Sequence, residues 1–95
     1  MTAAIHPGEI LREEFLAELD LTPYALARAL GVPRTRIERI VREETPVTTD
    51  TALRLGRYFG TSAEFWLNLQ TRRDLDRARN ELSGEIEAIR PREVA

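Results

Sequence analysis

Between Gly8 and Asp20 the apolar residues Leu11, Phe15, Leu16 and Leu19 fall within an arc of about 140° when successive residues are rotated by about 100°. That pattern predicts an amphipathic helix opened by Pro7 and Gly8 and ending near Asp20. Thr22 then offers an N-cap oxygen and Pro23 suits the first helical position, while Leu26, Ala27 and Leu30 share a face until Gly31, so a second helix of about eight residues is expected. Pro33 restarts the chain into a third helix whose buried stripe is Ile37, Ile40 and Val41. Thr48 or Thr49 with Asp50 caps a fourth, which turns Ala52, Leu55, Gly56 and Phe59 inward before Gly60. Ser62 caps a fifth that carries Phe65, Trp66 and Leu69. Beyond Thr71 the spacing of Leu75, Ala78, Leu82, Ile86 and Ile89 is again helical, with a break or an end expected near Ser83 and Gly84 and extended chain only between Ile86 and Pro91. Val47 to Thr51 has β-prone residues but the chemistry of a helix start. The expected fold class is all-α: five helices followed by a C-terminal tail, helical or partly extended.

A chain of 95 residues is too short for two independent cores. Its organisation is read as a helical domain over residues 1–70 and an extension over 71–95 for dimerisation or partner binding. No apolar run approaches the roughly 20 residues that span a bilayer, and the first residues, Met1 to Glu14, lack the basic start and apolar centre of a secretory signal. A cytoplasmic protein without membrane attachment is expected. With no Cys and one His, zinc sites built on thiolates, thiolate nucleophiles and His clusters are excluded. His6 beside Glu9 or Glu13 makes a poor metal site, and no phosphate loop, HExxH motif or paired nucleophile and base exists. Neither an enzyme nor a cofactor is expected.

Charge changes the picture through its distribution. The net charge is −2, yet every cation is Arg, and between Arg28 and Arg42 there are five Arg against the single acid Glu38. From Met1 to Asp20 five acids face Arg12 alone. Surfaces of opposite sign point to two partners.

The segment around residues 22–42 joins two short helices through Gly31, Val32 and Pro33, with Ala27 small enough for a close helix crossing. This is the arrangement a helix-turn-helix requires. On the outer side of its second helix, Arg34, Thr35, Glu38, Arg39 and Arg42 lie opposite the apolar stripe, with Arg36 on the flank. Arg pairs bidentately with guanine, Thr contacts a thymine methyl, and Glu accepts from cytosine. Tyr24 and Arg28 share the side of the first helix that crosses the phosphate backbone, and Arg36 is expected to grip phosphate. The plainer reading is a set of solvated Arg residues in which Glu38 pairs with Arg34 or Arg42 one turn away.

Phe65, Trp66, Leu69, Leu75, Leu82, Ile86 and Ile89 are more apolar surface than so small a core is expected to cover, which predicts a homodimer built on them. For Phe65 and Trp66 a place in the core or an aromatic binding platform are the alternatives. Arg72, Arg73, Arg77 and Arg79, interleaved with Asp74 and Asp76, read as a charge-laced solvent face.

The runs HPGEILREEFLAELDLTPYALARALGVPRTRIERIV and TTDTALRLGRYFGTSAEFWLNLQ resemble the HigA-type, or VapI-like, antitoxins of the XRE helix-turn-helix class. The resemblance spans roughly His6 to Gln70. It implies a lambda-repressor-like domain that binds double-stranded operator DNA as a homodimer and represses its own operon. It also implies a small toxin partner of the RelE-like HigB type that cleaves mRNA on the ribosome. Base reading then falls to Arg34, Thr35 and Arg39, with Glu38 and Arg42 as further candidates. The chain departs from the family after its third helix, where a Gly and a basic residue often stand but Arg42, Glu43, Glu44 and Thr45 occur here. A toxin that grips RNA is expected to be basic, and the acidic face of the first helix, Glu9, Glu13, Glu14 and Glu18, is its natural complement. The stretch from Leu82 to Ala95 is the rival site. The competing classes are a stand-alone XRE-family transcriptional regulator and a protein-binding adaptor that no longer reads DNA.

Overall fold

Among the described residues, four of the five helices begin where a side chain closes the first turn. His6 Nδ1 accepts from the Gly8 amide at 2.8 Å, Thr22 from Ala25, Thr48 from Thr51, and Ser62 from Phe65, each satisfying an amide that the helix itself leaves without a partner. The computed structural model describes residues 4–93. The outer ends of the segments 1–70 and 71–95, and the last residues of the Leu82–Ala95 stretch, lie outside the described residues.

The first helix, α1, is a continuous rod over residues 7–19: an α-turn Pro7–Ile10, a wider π-helical stretch Leu11–Leu16, and a last α-turn Ala17–Leu19. It stops at Asp20, which adopts φ 51° and lets the Leu21 amide bond back to the Leu16 carbonyl, a left-handed residue that Asp tolerates better than most. Then come α2 (Pro23–Leu30), α3 (Arg34–Val41), α4 (Thr49–Phe59) and α5 (Ala63–Glu87). No strand occurs among the described residues. α2 packs on α3, α4 on α5, and the start of α1 crosses α3. The centre is formed by Leu11, Leu26, Ala27, Ile37, Ile40, Ala52, Leu55 and Trp66, all essentially without solvent contact.

Three expectations change. Leu19, placed on the buried stripe, is 58% exposed, because it lies in the last turn, where Asp20 turns the chain away from the core. The helix does not break at Ser83 and Gly84; α5 runs through both to Glu87. One exposed Gly costs a helix only about 1 kcal/mol relative to Ala, and Glu81, Leu82, Glu85 and Glu87 around it are strong helix formers. Ile86 and Glu87 are therefore helical, and the chain leaves the helix only after Glu87, at the turn formed by Ala88 close to Pro91. Finally, Trp66 is spent on the chain's own core. It is 0% exposed, packs against Phe15 at 5.1 Å and Phe65 at 5.0 Å between ring centroids, and donates from Nε1 to the Thr61 hydroxyl at 2.9 Å.

His6 introduces a pH dependence. It is 4% exposed, and because Nδ1 accepts from Gly8 the cap requires an unprotonated nitrogen. Burial pushes its pKa below the ordinary value of 6.5, with Arg73 adding to the shift and Glu43, Asp74 and a hydrogen bond to the Thr45 backbone opposing it. Between the folded value and about 6.5 the unfolded chain binds more protons, so stability falls as pH drops through that window and is unaffected by His6 above neutrality. The thermal midpoint is expected to decline between pH 7 and pH 5, and the His6→Asn variant, which keeps a capping acceptor without titrating there, should flatten that decline. Equal slopes in both proteins would remove His6 as the cause.

Candidate nucleic-acid interface

The turn between α2 and α3 follows from Gly31, which takes φ 72°. In that conformation the Gly31 amide bonds back to Arg28 and the Val32 amide to Ala27, closing α2 in a Schellman-type end that a Cβ would strain. Pro33 then sets α3 off in a new direction. Ile37 and Ile40 are buried and Ala27 is the small residue of the α2 face beneath them, so the opposite side of α3 is left to solvent.

On that side Arg34, Thr35, Arg39 and Arg42 are exposed, whereas Arg36 and Glu38 are half-buried. Three of the candidate residues are already engaged. Arg34 Nε lies 3.4 Å from Glu38, one turn along. Arg36 donates to Asp50 at 2.6 Å, and Asp50 also accepts from Arg54 at 3.1 Å. These two guanidinium groups hold the Asp50 carboxyl below its usual value. Arg36, expected to grip phosphate, also ties α3 to the first turn of α4 through this pair. Thr35 and Arg39 take part in no ion pair or side-chain hydrogen bond among the described residues, and with Arg36, Thr45, Pro46 and Thr48 they line one concave surface. On α2, Arg28 lies over the Tyr24 ring at 5.9 Å, so these exposed side chains form one cationic, aromatic patch.

The supports of this surface were hidden from the sequence reading. Gln70 on α5 accepts from the Val47 amide at 2.8 Å and donates to Asp74 at 2.9 Å, pinning the loop after α3. Arg54 reaches across to the Leu30 carbonyl at 2.8 Å. On α1, Arg12 bonds to the Val41 carbonyl and to Glu43. Nothing in local spacing announces such long-range pairs.

The helix-turn-helix family profile matches residues 11–66 of the chain. The chain belongs to the XRE-type helix-turn-helix family. As a member it shares a fold of DNA-binding proteins rather than of enzymes. It is 60% identical over 75 residues to virulence-associated protein I of Dichelobacter nodosus, which covers 79% of this chain and 69% of that one. Antitoxin HigA-1 of Vibrio cholerae is 36% identical over 84 residues, 88% of this chain and 79% of that protein. Among solved structures, antitoxin HigA of Pseudomonas aeruginosa with the higBA promoter superposes with a TM-score of 0.89 at 52% identity, covering 93% of this chain and 97% of its own. Within the helix-turn-helix family the chain is therefore similar to HigA antitoxins.

Proposed function

We propose that this helix-turn-helix protein is the DNA-binding antitoxin and autorepressor of a toxin–antitoxin module, acting in the cytoplasm. It presents α3 to the major groove and binds as a homodimer to half-sites about 34–36 Å apart. The observation that carries the reading is the outer face of α3, where Thr35 and Arg39 stand exposed and uncommitted at the place from which an XRE recognition helix reads bases. Tyr24 and Arg28 of α2 border the phosphate backbone, and Arg34, Glu38 and Arg42 act around the base-reading pair. With a net charge of −2, bulk attraction to DNA is weak, so a doubled site supplies affinity as well as length of sequence read.

For the dimer, Phe65, Leu69, Leu75, Leu82, Ile86 and Ile89 remain the contact candidates. Phe65, Leu75, Leu82, Ile86 and Ile89 are exposed in the single chain, and every described residue from Arg79 onward is exposed. An amphipathic helix without cover is stabilised by pairing with a second copy. Trp66 supports that surface from beneath.

The toxin is taken to be a small basic protein that meets the acidic side of α1. Glu14 and Glu18 are exposed there, Glu13 is exposed beside Arg12, and Glu9 is half-buried. The test pairs the purified chain with its toxin, sought as a small basic protein encoded by a neighbouring gene. Reversal of Glu14 and Glu18 to Arg, which leaves the Glu13–Arg12 pair in place, should slow association and remove much of its salt dependence, while operator binding is unchanged. An association rate that does not move would place the toxin on the segment from Leu82 to Ala95 instead.

A further inference from the structure

The C-terminal end of α3 is built on an unfavourable residue. Glu43 adopts φ 64°, the left-handed conformation in which Gly is the usual occupant of a helix end. The hydrogen bonds of such an end are present: the Glu44 amide bonds to the Arg39 carbonyl at 2.9 Å and the Glu43 amide to the Ile40 carbonyl at 2.9 Å. A non-Gly residue held in this region has to be fixed by its surroundings. It also sets a carboxylate one residue beyond the C-cap of the helix that reads DNA, where the negative end of the helix dipole already disfavours it.

Arg12 answers both problems from another helix. Its Nη1 donates to the Val41 carbonyl in the last turn of α3, its Nη2 lies 3.3 Å from Glu43, and its Nε donates to Glu13 on α1 at 2.9 Å. One planar guanidinium thus satisfies a carbonyl that the helix end leaves free, neutralises the carboxylate at the Gly position, and is itself oriented by a neighbour on its own helix. Four residues earlier, Gly8 lets the backbone of α1 rest directly on the Ile40 carbonyl. α1 therefore grips the end of α3 at two successive points.

We infer that Arg12 is a positioning residue for DNA recognition. It sets the end of α3, and with it Arg39, without touching the DNA, and it makes Glu43 acceptable at φ 64°, where a helix end usually places Gly. The inference rests on the reading of α3 as the recognition helix. It also places Glu13, a member of the proposed toxin face, in direct contact with the residue that sets the recognition helix.

The test measures affinity for the chain's own operator, and its salt dependence, in the full-length protein, Arg12→Gln, Glu43→Gly and the double variant. Arg12→Gln should weaken binding about tenfold with the salt slope unchanged, and in the Glu43→Gly background the same substitution should cost about threefold or less, a coupling of the size seen between residues in one network. An equal loss in both backgrounds, with the slope reduced by about one, would mean that Arg12 contacts a phosphate and would overturn the inference. No loss in Arg12→Gln would overturn it as well. Should Arg12→Gln fail to fold, Arg12→Lys carries the same comparison: it keeps the charge but not the fork, so a loss of about threefold and the same rescue are expected. Failure of the unaltered protein to bind its operator would instead count against the DNA-binding reading itself.

Discussion

Replacement of Trp66 by Ala is expected to lower the free energy of unfolding by about 3–5 kcal/mol, the cost of deleting a large buried aromatic. Trp66 has no solvent exposure, touches Phe15, Phe59 and Phe65, and satisfies its indole N–H on Thr61. It joins α1, α4 and α5, so no single neighbour can move to fill the void without loosening the others. A small domain has only about 5–15 kcal/mol in total, and the variant should be substantially unfolded at the temperature where the parent is still folded. Denaturant titration at fixed protein concentration reads the effect. A chain that stayed equally stable and lost only its dimer would return Trp66 to the subunit interface.

Gly8→Ala should cost about 3 kcal/mol, near the upper end of over-packing penalties. A Cβ at Gly8 would sit 1.8 Å from the Ile40 carbonyl oxygen. Backbone stands on both sides of that clash, so no rotamer change relieves it, and α1 must lift from α3. Gly84→Ala is the matching control. Nothing lies within 4 Å of a Cβ there, and the position is inside α5, so the substitution should stabilise the protein by about 1 kcal/mol. Thermal unfolding of the two variants separates the cases, and a neutral Gly8→Ala would contradict the packing of α1 on α3.

Much of this architecture is legible in the sequence because its signals are local. Thr22, Pro23, Gly31, Thr48, Gly60 and Ser62 mark helix ends by their own conformational chemistry, and the helices start and stop at them. The outward face of α3 is legible for the same reason, since Ile37 and Ile40 fix which side is buried. Periodicity does not say whose surface covers an apolar stripe. Trp66 and Leu82 stand on the same helix, yet one is sealed inside the chain and the other is exposed. The commitments of individual Arg residues are equally invisible, since Arg12 and Glu43, or Arg36 and Asp50, meet only through the tertiary fold. The α1 π-stretch, Leu11–Leu16, has no periodic signature in its residues either.

The central claim is that the outer face of α3 reads bases, and it is tested most directly by measuring affinity for the operator with every base pair changed in turn, for the parent and for Arg39→Ala. The account predicts a loss of about 1–3 kcal/mol on the native operator in Arg39→Ala, together with lost discrimination at one symmetric base pair in each half-site and unchanged discrimination elsewhere. Unchanged affinity, or a uniform loss that leaves every base preference as it was, would contradict it.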